Sequence, residues 1–141
     1  MGLLKEKDRE KVKKVFEEIE KDVKIVMFTQ ETECQQCEMT RKLLEEISGL
    51  SDKLSLEVHD FVSEAGLAKN YGVDKIPAIV LIGERDYGLH FYGLPSGFEI
   101  NVLIGDIIDV GKRNPELSKE VTAELAKVDR PVHIQVLVSP T

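Results

Sequence analysis

The sequence predicts an α/β fold with a central mixed β-sheet flanked by helices. Three observations carry that reading. Short β-branched apolar runs alternate with segments of helical period, which is the pattern of a sheet with helical crossovers. The apolar run 79–82 turns back through 83–86 into 89–92, so an antiparallel hairpin closes one edge. Hydrophobic residues make up 42% of the 141-residue chain. A chain of that length buries roughly 68% of its unfolded surface, enough to fold without staples.

Each element has a local cause. Over 5–21, Val12, Val15, Phe16 and Ile19 recur at i, i+3, i+4, i+7, so this is an amphipathic helix with Glu and Lys on its outer face. Residues 23–29 (VKIVMFT) form a short β-branched run that reads as a buried strand. A polar loop, 30–33, leads to Cys34, and helical period resumes over 37–47 with Met39, Leu43, Leu44 and Ile47 until Gly49. Residues 54–61 (LSLEVHDF) alternate as a strand, and 64–71 form a short helix ended by Gly72. Strand 79–82 starts just after Ile76 and Pro77, a position where a missing N–H is tolerated. The helix over 97–110 is expected to face Phe98, Val102, Leu103, Ile107 and Val110 inward.

The last segment repeats the first. A helix over 116–128 and a strand over 132–138 slide back by 109 positions onto the opening helix and strand. Val121 falls on Val12, Leu125 on Phe16, Val128 on Ile19, Val132 on Val23, Ile134 on Ile25 and Val136 on Met27. The domain division expected is one unit over 1–112 and, over 113–141, the first helix and strand of a second unit cut short before its own cysteine motif. A strand without the rest of its unit presents an unpaired edge, so a homodimer through the C-terminal segment, or a loosely held C-terminus, is expected.

Charge and targeting narrow the function. Nineteen basic and 26 acidic residues give a net charge of −7, which excludes a nucleic-acid-coating surface. No apolar run approaches the roughly 18 residues that span a membrane. The charged N-terminus lacks a signal-peptide core, so the expected location is cytoplasmic. Glu (17) and Lys (14) far outnumber Asp (9) and Arg (5), a bias of proteins from hot environments.

The chemistry lies at Cys34-Gln35-Gln36-Cys37, where a strand meets a helix. A helix N-terminus stabilises a thiolate, and i, i+3 spacing brings two sulfurs within bonding reach. Cys34, the more exposed, is the expected nucleophile, and Cys37, inside the first turn, the resolving thiol. Glu31, Glu33 and Glu38 oppose a nearby thiolate, and Arg41 is the first cation after the motif. The Cys34 thiolate is therefore favoured less than in strongly oxidising CxxC proteins. Other readings of the pair stay open: a permanent disulfide in a structural or binding module, or a metal shared by two chains. An intrachain zinc site lacks its further ligands, since His59, His90 and His133 lie far apart. No metal and no cofactor are expected. His90 reads as a solvent-facing strand residue, while His59 and Asp60 stand on a strand that could approach the thiols.

The order helix, strand, CxxC at a helix start, strand, helix, Ile-Pro before an apolar strand, hairpin, helix resembles the thioredoxin superfamily. The closer likeness is to the glutaredoxin-like protein disulfide oxidoreductases of hyperthermophilic archaea and bacteria. It is carried by the opening MGLL and its helix, IVMFTQETECQQC, LSDKLSLEVHDF, FYGLPSGFE and VHIQVLVSPT. The resemblance implies a thioredoxin-like fold and two fused units, of which this chain would hold the N-terminal, less active one. It implies a cis Pro77 beside the cysteines, with Ile76 and Pro77 binding the substrate chain. It implies protein disulfide or dithiol substrates, in an intracellular setting rich in disulfides, and a thioredoxin-reductase-type electron donor. Departures are informative. Phe28 stands six residues before Cys34, where thioredoxin keeps a buried acid. Gly93-Leu94-Pro95-Ser96-Gly97 lacks the paired glycine and acid that bind glutathione in glutaredoxins, so glutathione binding is not expected.

Overall fold

The computed structural model describes residues 2–139. Its elements run α1 (Glu6–Val15), a 3-10 turn (Phe16–Glu18), β1 (Val23–Thr29), α2 (Cys37–Ser48), β2 (Leu54–Asp60), α3 (Ala65–Asn70), β3 (Ala78–Ile82), β4 (Asp86–Tyr92), α4 (Glu99–Lys112) and α5 (Lys119–Leu125). The four strands form one sheet in the order β2-β1-β3-β4, with β1 parallel to β2 and antiparallel to β3. This is the mixed sheet that the alternation and the hairpin predict.

The period-2 geometry of β1 explains its uninterrupted apolar run. Val23, Ile25 and Met27 join a core with Phe16 of the 3-10 turn, Leu44 and Ile47 of α2, and Leu103 and Ile107 of α4. Val26 and Phe28 point to the opposite face, against Ala68, Val73, Ala78 and Val80. Both faces of β1 are therefore covered, as a central strand requires. Helix α4 comes close to the chain after the 3-10 turn: a Cβ at Gly111 would stand 2.6 Å from Ile19 Cγ2. Helix α3 ends in a Schellman motif, with Val73 N–H donating to the Ala68 carbonyl (2.9 Å) and Gly72 left-handed at φ 71°.

On three helices single inward assignments fail at the margin of the apolar stripe, while the rest of each stripe is buried as expected. Met39 is 49% exposed, and Thr40 takes the buried position, its hydroxyl donating to the Gln36 carbonyl at 2.8 Å. Val15 faces out. Phe98 and Val102 also face out: α4 begins after Phe98, and its buried stripe is Leu103, Ile107 and Val110.

The C-terminal segment departs further. Helix α5 forms, capped by Ser118, whose hydroxyl accepts from Val121 N–H at 3.2 Å, but it buries no residue. The strand expected over 132–138 is absent: residues 131–139 carry no regular structure, and Ile134, Val136 and Leu137 are among the most exposed apolar side chains. The counterpart β1 is a strand because β2 and β3 satisfy its backbone from both sides. Among the described residues nothing does so for 132–138. Of the polar tail 139–141, Pro140 and Thr141 lie outside the described residues, as does Met1.

Candidate functional site

The end of β1 delivers the chain to the cysteines. After Thr29 the loop turns through Glu33, held left-handed at φ 59°, into Cys34. Cys34 and Cys37 are joined in a disulfide with their Cα atoms 5.5 Å apart. Cys37 is the first residue of α2 and 2% exposed, whereas Cys34 precedes the helix and is half-buried. Cys37 N–H donates to the Cys34 carbonyl at 3.4 Å, closing the turn.

Ile76 and Pro77 sit at the same end of the sheet. Their peptide bond is cis, as the resemblance implies. Ala78, the next residue, is paired in register with Phe28 of β1 and with Tyr92 of β4. The Pro77 carbonyl accepts from Gly93 N–H at 2.9 Å. Pro77 is buried and Ile76 half-buried. Sequence reasoning misses the side chain that joins these parts. Gln36, inside the motif, does not cap α2; its Oε1 accepts from Leu94 N–H at 3.3 Å. One chain of contacts thus runs from the cysteine turn through Gln36 to Leu94, and from neighbouring Gly93 to Pro77. Only a hydrogen-bond acceptor within the motif hinted at this, and nothing in sequence pointed to a partner 58 residues away.

The charges around the pair are acidic. Glu38, in the first turn of α2, is tied to Lys42 at 2.6 Å, and that hydrogen bond and charge hold its carboxyl below the usual range. Glu31 and Glu33 are exposed and form no ion pair among the described residues. Arg41 is occupied by Glu45. Phe28 is fully buried and rests against the rings of His59 (5.6 Å) and Tyr71 (5.9 Å), so an aromatic ring fills the place of the buried acid.

His59 and Asp60 serve the fold instead of the thiols. His59 contacts Glu64 through Nδ1 (2.9 Å) and Glu57 through Nε2 (3.4 Å). Asp60 accepts from the amides of Val62 and Ser63 and from the Ser63 hydroxyl. His90 is half-buried rather than solvent-facing: its Nε2 is buried with no partner among the described residues, and Gly72 and the Tyr92 ring lie against it. No group of described residues is arranged to hold a metal. No described helix is long and apolar enough to cross a membrane.

These contacts set an acid response. The Ser63 amide and hydroxyl hold Asp60 below the usual carboxylate range, and His59 with the Asp60 amide does the same for Glu64. At Glu57 burial pushes upward, but bonds from His59 and Lys24 bring it lower overall. A carboxylate depressed in the folded state contributes stability that is present above its unfolded pKa and lost as the pH falls through the folded one. Burial shifts Glu99 and Asp106 upward, which works in the opposite sense. Glu38, Glu46, Asp74 and Glu116 are held low as well, so seven depressed carboxylates stand against two raised ones, and the urea midpoint is expected to fall between about pH 5 and pH 3. An unchanged midpoint over that interval would contradict the assignment.

No family model matches the chain, and no curated protein matches it. Solved structures do. A point mutant of the alkylhydroperoxide reductase AhpF from Enterococcus faecalis V583 is similar with a TM-score of 0.80 and 25% identity, over 88% of this chain and 60% of that one. A protein disulfide oxidoreductase from Aeropyrum pernix K1 gives 0.78 and 21%, over 87% and 54%. The NTD_N/C domain of the Enterococcus AhpF gives 0.75 and 25%, over 86% and 59%. The chain spans less than two thirds of the length of each. With this architecture shared across most of its residues and a CxxC pair at the start of α2, the chain belongs to the thioredoxin superfamily.

Proposed function

We propose that the chain is a thiol–disulfide oxidoreductase of protein disulfides. The observation that carries this is the asymmetry of the bonded pair: Cys34 is half-buried before α2, while Cys37 is 2% exposed within it. The Cys34 thiolate attacks one sulfur of a substrate disulfide, forming a mixed disulfide and releasing the first substrate thiolate. Cys37, deprotonated, then attacks Cys34 Sγ and displaces the second substrate thiolate. The substrate gains two electrons and the pair loses them; a dithiol substrate reverses both steps. Ile76 and the cis Pro77 hold the substrate chain, supported by their place beside the end of β1. Mixing the reduced chain with a disulfide-linked peptide is expected to yield two free peptide thiols for each Cys34–Cys37 bond formed. Absence of both products contradicts the reading.

The finer identity is a unit of a glutaredoxin-like protein disulfide oxidoreductase, one thioredoxin-like unit over 1–112 and the lead of a second over 113–141. Its support is the 109-residue repeat and the larger size of the similar structures. The same reading gives it a thermophilic source, a cytoplasmic setting and a reductase-type electron donor. The exposed apolar side chains from Leu117 to Val138 make this chain pair with a second copy. Sedimentation at micromolar concentration is expected to show dimers that dissociate when 117–138 is removed. Monomers throughout would overturn that.

A further inference from the structure

The ring of Phe98 is 87% exposed at the start of α4, and Val102, one turn later on the same face, is 54% exposed. Neither contributes to the core that α4 covers. Their distance from the cysteines is limited by two facts. Leu94 N–H is bonded to Gln36 inside the CxxC motif. Phe98 follows Leu94 by four positions, a span of at most about 14 Å at full extension. A protein interface of ordinary size covers about 800 Å² on each partner, roughly 30 Å across. The chain from Tyr92, paired with Ala78 beside the cis proline, to the start of α4 therefore stays at the cysteine end of the sheet, and a polypeptide that presents a disulfide to Cys34 comes within reach of Phe98.

We propose that Phe98 is a specificity-determining residue: its ring receives an apolar side chain of a polypeptide substrate, next to a basic residue that faces Glu31 and Glu33. The inference rests on the oxidoreductase reading above and names its substrate class. An exposed aromatic ring gains most when a partner buries it, which is why aromatics dominate interface energetics. The two carboxylates just before Cys34 have no cation of their own among the described residues, so a Lys or Arg on the substrate is attracted and an anionic one is repelled. Small acidic thiols such as glutathione meet neither condition.

The test uses the full chain, reduced, and three disulfide-linked peptides whose cysteine is flanked by Leu and Arg, by Ala and Arg, or by Leu and Glu. The unmodified chain is expected to prefer Leu over Ala by about tenfold in kcat/KM, the scale of one aromatic contact, with the difference in KM. Phe98→Ala is expected to lose that preference while keeping the preference for Arg over Glu; Phe98→Leu keeps the larger part of both. The exposure of the ring means that its loss leaves no cavity. The Arg preference is expected to shrink as salt rises from about 50 to about 500 mM. Equal use of Leu and Ala peptides, a Phe98→Ala chain that still prefers Leu, or equal use of Arg and Glu peptides overturns this inference and leaves the oxidoreductase reading standing. Exchange with none of the peptides overturns both.

Discussion

Replacing Cys34 with serine is expected to reduce thiol–disulfide exchange to the uncatalysed rate, and replacing Cys37 to leave the chain covalently joined to its substrate. A hydroxyl has no appreciable anion at neutral pH and does not attack a disulfide, so nothing in the Cys34→Ser site starts the reaction. The second variant keeps the first step. The Cys34 thiolate still forms the mixed disulfide, but no second thiol lies within bonding reach to release it. Mass spectrometry of Cys37→Ser after mixing with a disulfide-linked peptide should show the chain plus one peptide strand. Because Cys37 is 2% exposed, a serine hydroxyl there is placed in a site built for sulfur. Cys37→Ala is therefore the companion variant and should trap the same adduct. Adduct formation by Cys34→Ser, through Cys37, would reverse the roles assigned to the pair.

The largest expected loss of stability comes from Phe28→Ala. The ring is fully buried between Ala68, Val73, Ala78 and Val80, with aromatic contacts to His59 and Tyr71. With Val26, it packs β1 onto the α3 side of the sheet, just before the cysteine loop. Emptying such a site costs about 3–5 kcal/mol, the lost transfer energy plus the cavity. For a chain of this size that lowers the thermal midpoint by roughly 10–20 °C. Phe28→Leu, which keeps most of the volume, should cost about 1.5 kcal/mol or less. Calorimetry of the two variants separates packing from chemistry, since neither touches a sulfur. A loss below about 1 kcal/mol in Phe28→Ala would show that the α3 face collapses onto the gap.

What the sequence made legible was local or periodic. The apolar run VKIVMFT identified a strand covered on both faces, and Ile25 and Val26 indeed point into different clusters. The CxxC spacing placed two sulfurs within reach, and the disulfide is there. What stayed hidden depends on partners distant in the chain. The bond from Leu94 to Gln36 has no sequence signature, because any loop residue offers an amide. Phe98 reads as core by hydrophobicity, and only the start of α4 at Glu99 turns it outward. His90 reads as exposed by alternation, but the turn at Gly72 covers it. The run 132–138 has the composition of β1 and yet is no strand, since a strand is defined by neighbours that those residues lack among the described ones.

The reduction potential of Cys34–Cys37 tests the central claim most directly. Equilibrate the chain in thiol–disulfide buffers, alkylate the free thiols and weigh the products. An exchange catalyst falls between about −180 and −270 mV. Glu31 and Glu33 beside Cys34, which form no ion pair among the described residues, disfavour its thiolate, which places the expected value toward the more reducing end of that range. A potential below about −300 mV would mark a permanent structural disulfide and contradict the account.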